Sequence, residues 1–195
     1  MNPQEFLDDI KYVNASQESM YWTAANTYLD THFTQLTTFS HPANSSTRTS
    51  DELTVICNYI SQVAKNPDLL SRCLEIDRKG FRFYKELIEQ SEMITEKEDF
   101  AKMIDEIITD ASPLIHKLKH FFSRPRPSQI GYYYKYMLFP YRSVSSDCGS
   151  FPSASVYFAR IFTEVIGNRK PELYASMRQL HKEVCDSRLA LGLNY

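Results

Sequence analysis

Apolar residues recur along this chain at helical rather than strand spacing. Leu53, Ile56, Ile60 and Val63 follow one another at three- and four-residue intervals, the period of a helix with one buried face. Leu114, Ile115 and Leu118 mark a second such face, and Leu173, Met177, Leu180, Val184 and Leu191 a third. No segment alternates apolar and polar residues as a half-buried strand would. The punctuation agrees with helices. Thr49 with Glu52, and Thr95 with Glu98, match capping boxes. Asn66-Pro67 reads as a cap followed by proline in the first turn. Ser112-Pro113 restarts or kinks a helix that Pro125 and Pro127 end near Ser123. Pro152 is expected to open a helix to about Ile166, closed by Gly167-Asn168. Pro171 opens the last one. Upstream, a first amphipathic helix is expected from about Ser16 to Phe33, then a polar loop over 38–50. Residues 128–150 are expected to be a tyrosine-rich loop or short irregular segment. The fold expected is an all-α, single-domain helical bundle. Residues 1–40 would form an N-terminal helical segment packed on a core of residues 41–195.

Composition sharpens this only slightly. Thirteen tyrosines and twelve phenylalanines against five glycines suit an aromatic-rich helical core. A net charge of -2 gives no global field favouring nucleic acid or an anionic membrane, so any affinity for phosphate has to be local. No apolar run approaches the ~20 residues needed to span a bilayer. The N-terminal MNPQEFLDDIK lacks the apolar stretch of a secretory signal, so a cytoplasmic location is expected unless a signal has been trimmed. Four cysteines without CxxC spacing are expected to be free thiols in a reducing compartment. No Cys/His pair has zinc-ligand spacing, and neither metal nor cofactor is expected. The oligomeric state is open, a homo-oligomer included.

Candidate chemistry lies in the last third, in three clusters. The first is KHFFSRPRP, Lys119 to Pro127. Lys119 sits near a helix end and Arg126 in a proline-stiffened loop, suited to holding an anion with a compact charge and a bidentate fork. Alone, this is equally a solvated basic helix end. The second is GSFPSAS, Gly149 to Ser155, where Ser153, Ala154 and the following amides open a helix whose N-terminus favours negative charge. Alone, it is an ordinary helix start. The third is SRLALGLNY, Ser187 to Tyr195, with Arg188 on the last helix and His181 and Cys185 on its face. Alone, Arg188 would pair with Glu183 or Asp186.

In this order and at these separations, the clusters resemble the motifs of the type 2 phosphatidic acid phosphatase superfamily, which includes the class A acid phosphatases and the vanadium haloperoxidases. The motif of lysine, six residues, then Arg-Pro is matched by Lys119 with Arg126 and by Lys117 with Arg124. The aromatics after Lys119, and Arg124 standing two residues before Arg126, favour the first pair. Ser153 matches the serine of Pro-Ser-Gly-His, and Arg188 the Ser-Arg of the third motif. The likeness covers roughly residues 110 to 195, and Ala43–Leu53 is loosely similar to the pre-core segment of soluble members. It implies a helical fold whose lysine, two arginines, serine and backbone amides hold a phosphoryl group or other oxyanion. It also implies a nucleophilic histidine, which binds vanadate in the haloperoxidases, and a general-acid histidine. Those two positions are Asn194 and Ser155 here, and the family's glycine is Ala154.

A carboxamide has no nucleophilic nitrogen and a serine no useful acidity near pH 7. The leading expectation is therefore binding of a phosphate, phosphoester or diphosphate with classical hydrolysis weak or lost. Three alternatives stand beside it. One is an active phosphohydrolase in which His181, His116, His120 or a water replaces the nucleophile. Another is a lyase whose cations stabilise a departing diphosphate. The last is a helical interaction protein with a vestigial site. Tyr132, Tyr133, Tyr134, Tyr136 and Tyr141 would form a partner interface, a pocket rim or a packed lid.

Overall fold

A computed structural model describes residues 2–12, 31–143, 146 and 148–195. The described elements are helical, with no strand among them. They are α1 (Pro3–Asp9), α2 (Phe33–Leu36), α3 (Thr47–Ala64), α4 (Pro67–Lys79), α5 (Arg82–Gln90), α6 (Lys97–Phe122), α7 (Pro127–Gly131), α8 (Ala154–Arg169) and α9 (Tyr174–Ala190). Single 3-10 turns lie at Tyr132–Tyr134 and Pro171–Leu173. The helix expected from Ser16 falls outside the described residues up to position 30.

Helix α9 is central and packs against α8, α4 and α3. Its stripe of Leu173, Met177, Leu180, Val184 and Leu191 is buried throughout. Met177, Leu180 and Val184 meet Phe158, Phe162 and Ile166 of α8, with Tyr84 and Ile88 of α5 and Ile104 of α6 in the same core. Phe81 meets Phe158 and Phe162 edge-on at 4.9 and 5.6 Å. Burying each such side chain stabilises the fold by roughly 1.5–3 kcal/mol.

Several boundaries differ from expectation. Helix α3 is capped by Ser46, which accepts from the Thr49 amide at 3.2 Å, and not by Thr49. Thr49 is buried one turn inside and donates to the Ala43 carbonyl at 2.7 Å, while Glu52 reaches Arg124. Thr95 does not cap α6, whose cap position is Glu96 with no side-chain capping bond. Asn66 does cap α4, accepting from the Leu69 amide at 3.1 Å. Pro113 neither ends nor restarts a helix and lies inside α6, which runs on to Phe122. Ser112 Oγ donates to the Ile108 carbonyl in that turn. The helix stops where Ser123 turns left-handed, at φ 44, directly before the prolines. The stretch after Arg126 is not all loop, since Pro127 begins α7. Helix α8 starts at Ala154 behind Ser153 and runs through Gly167 and Asn168 to Arg169. Gly167 is needed there for space, because a Cβ would lie 2.2 Å from Tyr174 Cδ2.

Residues 2–12 are tied to this frame. Asn44 Nδ2 donates to the Leu7 and Ile10 carbonyls, each at 2.9 Å, and the Tyr12 amide donates to the Ser123 carbonyl. The tyrosines divide. Tyr134 donates to the Asn44 carbonyl at 2.6 Å and Tyr136 meets Thr54 at 2.8 Å. Tyr132 and Tyr133 are exposed, as are Met137 and Phe139. Among the described residues, no helix is long and apolar enough to cross a membrane.

Candidate functional site

Lys119 lies in the last turn of α6, Arg126 at the cap of α7, and Arg188 in the last turn of α9. All three are buried, at 5, 5 and 3% exposure. Their heads, with Asn194, are wired to one short stretch of backbone. Arg126 Nε donates to the Cys148 carbonyl at 2.9 Å, and Lys119 Nζ to the Gly149 carbonyl at 2.7 Å. Asn194 Nδ2 donates to the Ser150 carbonyl. Three successive carbonyl oxygens thus face the residues of the first and third motifs. Arg188 joins through Asn194, whose Oδ1 accepts from Arg188 Nε at 3.2 Å.

The turn after α9 makes this possible. Gly192 has φ 68, the left-handed region that a side chain resists. It folds Leu193 and Asn194 back so that both amides bond the Arg188 carbonyl. The Leu193 carbonyl then receives Arg126 Nη1. On the other side, Ser150 is held by Arg124, whose carbonyl accepts from its amide at 2.9 Å.

The electrostatics follow from burial. Burial pulls the Lys119 ammonium down to about 8. Arg126 and Arg188, both positive and close by, push the same way, and the Cys148 sulfur opposes them. Arg188 is also lowered by burial, against the opposing pull of Asp77. Asp77 lies near the end of α4 and forms an ion pair with Arg188 Nη1. The Cys148 sulfur accepts from Arg126 Nη2 at 3.6 Å.

Ser155 stands apart from this wiring but borders Arg188. With Asp77, Ser187, Arg188 and Tyr84 it lines a cavity of about 20 Å³, room for about one water molecule. Ser153 is the cap position of α8 and makes no side-chain capping bond. Ala154 packs on the core. Among the described residues, no hydrogen bond joins Ser153 or Ala154 to the three cations. The structure therefore gathers Lys119, Arg126, Arg188 and Asn194, places Ser155 at their edge, and leaves Ser153 and Ala154 as the start of a helix.

The competing assignments resolve by geometry. Arg124 is engaged elsewhere, with Nη2 on Glu52 at 2.5 Å and its guanidinium 3.7 Å over the Tyr195 ring. Glu183 binds Arg72 at 2.8 Å and Asp186 binds Lys182 at 2.5 Å, so neither is the partner expected for Arg188. His181 is a core-edge histidine. Burial, then Arg160, lowers its pKa, and its charged neighbours are Arg160, Glu164 and Arg178 rather than Lys119, Arg126 or Arg188. Its seven-residue separation from Arg188 corresponds to about 10 Å along the helix. His120 is exposed. Among the described residues, no group of three or more His, Cys, Asp or Glu is placed to hold a metal ion.

Sequence reasoning missed Asp77 and the carbonyl ladder of Cys148, Gly149 and Ser150. Asp77 is one acid among many on an amphipathic helix, 111 residues from Arg188. Backbone carbonyls leave no trace in residue type.

No protein-family model, curated protein or solved structure matches the chain. The likeness of its motifs therefore rests on their residues, order and spacing.

Proposed function

We propose that this protein binds a phosphate-bearing small molecule or similar oxyanion through Lys119, Arg126 and Arg188, with phosphohydrolase activity weak or lost. In this reading it is a relative of the phosphatidic acid phosphatases and acid phosphatases that keeps the cradle without its two histidines. One observation carries the reading. The buried cations Lys119 and Arg126, and Asn194, which in turn accepts from buried Arg188, bond three successive carbonyls of the segment joined to the start of α8. Carbonyl oxygens are the acceptors that an oxyanion's oxygens would replace, and charge-assisted bonds to an anion are stronger than those to neutral carbonyls. Asn194 supplies a bridge between Arg188 and Ser150 but no nucleophile.

The same bonds favour a second reading, a purely structural cluster, because the donors already have protein partners. Thermal unfolding at low ionic strength separates the two. With bound phosphate at a hundred times its Kd, the wild type gains about 2.7 kcal/mol. That gain should shrink with salt and disappear in Lys119→Met and Arg188→Ala. Absence of any shift at millimolar phosphate assigns the cluster to structure alone.

A further inference from the structure

The Cys148 sulfur lies among the three buried cations of α6, α7 and α9. It accepts from Arg126 Nη2 at 3.6 Å. It also meets the Lys119 ammonium through charge and a hydrogen bond, and acts on Arg188 through charge. Asp77 answers the charge of Arg188. The Lys119 ammonium is nonetheless held down to about 8 by burial, with Arg126 and Arg188 pushing the same way. A cluster in that condition favours further negative charge placed within it. Access alone does not set this thiol apart, since Cys57, Cys148 and Cys185 are all half-buried. The surroundings do. Burial pushes the Cys57, Cys73 and Cys185 thiols up, and Asp186 adds to this at Cys73 and Cys185. Cys148 has cationic donors at its sulfur, and reactive cysteines are found in partly exposed, electropositive surroundings.

We propose that Cys148 is a peroxide-reactive modification site whose oxidation product serves as an internal oxyanion for Lys119, Arg126 and Arg188. The sulfur attacks one oxygen of hydrogen peroxide and the O–O bond breaks. The departing hydroxide takes the thiol proton and leaves as water. The thiol is thereby oxidised by two electrons to a sulfenic acid, and the peroxide is reduced. Negative charge grows on the departing oxygen beside the same donors that hold the sulfur, and such donors lower the barrier. A second peroxide converts the sulfenic acid to a sulfinic acid, again releasing water. The sulfinic acid gives up its proton at neutral pH, leaving two oxygens and one negative charge on the sulfur. With the sulfur 3.6 Å from Arg126 Nη2, an oxygen attached to it falls within reach of a charge-assisted bond. No external anion is needed for this chemistry, so it stands apart from the oxyanion-binding reading. Where an external oxyanion does bind, the sulfinate occupies its place.

The first test uses the wild type alone. The native chain is treated with hydrogen peroxide and dimedone, which traps sulfenic acids, and each cysteine is followed by peptide mass spectrometry. Cys148 should be labelled about tenfold faster or more than Cys57 and Cys185, and the rates should converge in urea. Equal native rates at Cys148, Cys57 and Cys185 overturn the proposal. A Cys148 rate unchanged in folded Lys119→Met and Arg126→Met overturns it too, and if those variants fold poorly the wild-type comparison still decides. Excess peroxide without dimedone carries Cys148 to the sulfinate. Measured against Cys148→Ser treated alike, that product should raise Tm by about 2–4 °C. A Tm that falls or stays level with the sulfinate formed overturns the internal oxyanion. Added phosphate separates this result from the binding reading. If phosphate raises the Tm of reduced wild type, the sulfinate form should lose that gain, and keeping it counts against the proposal. If phosphate does nothing to reduced wild type, the binding reading fails, while the labelling rates and the sulfinate's own effect on Tm still judge Cys148.

Discussion

Wild type should gain stability as pH rises into the alkaline range, and replacing Lys119 by methionine should flatten that rise. The ammonium is buried against the Gly149 carbonyl with Arg126 and Arg188 nearby, and its pKa falls from an ordinary 10.5 to about 8. In the unfolded chain it returns to the ordinary value. Between these two pH values the unfolded chain therefore holds more protons than the folded one, and stability rises with pH. Below pH 8 the cost of keeping this charge buried is fully present, and above 10.5 it is gone. A fall from 10.5 to about 8 corresponds to about 3 kcal/mol at roughly 1.4 kcal/mol per tenfold. Urea unfolding from pH 7 to 10.5 measures it. The unfolded chain's tyrosines and cysteines also ionise in this range, so the quantity to read is wild type minus Lys119→Met. That difference should climb by about 3 kcal/mol across the range. Saturating phosphate should reduce the climb, because a bound anion restores the charged form. Parallel curves for the two proteins would show that Lys119 keeps its ordinary pKa, and the argument from its burial among cations would fail.

Other outcomes follow from the same structure. Wild type should turn over p-nitrophenyl phosphate very slowly and show no vanadate-dependent halide oxidation. The double change Asn194→His, Ser155→His should raise phosphatase turnover by ~10²-fold or more if the restored groups act as nucleophile and acid. Steady-state rates decide this, and robust wild-type turnover would contradict the role given to Asn194. Glu52→Gln should lower unfolding free energy by roughly 1–3 kcal/mol, measured by urea denaturation, because Arg124 is 4% exposed and loses its carboxylate. Gly167→Ala should cost about 1–3 kcal/mol through overpacking on Tyr174, and Tyr174→Ala in the same chain should recover part of the loss in Tm.

What the sequence determined by itself is the local part. The helical class, the buried stripe of α9, the Asn66 cap and the stop at Ser123 follow from interactions within about four residues, where spacing and proline or cap chemistry decide the outcome. Lys119, Arg126 and Arg188 were legible as one set because their order and spacing carry the pattern. The tertiary structure decided the rest. Ser46 rather than Thr49 caps α3 because Glu52 is drawn to Arg124, 72 residues away. Helix α6 passes Pro113 without a break because Ala111, Leu114 and Ile115 are buried on either side of it, and packing outweighs one missing amide bond. Helix α8 continues through Gly167 because the Tyr174 ring fills the space a side chain would occupy. Most of all, Asp77 reaches Arg188 across 111 residues. An acid on a helix has no sequence signal for the distant arginine it meets, because that meeting is set by how α4 and α9 pack together.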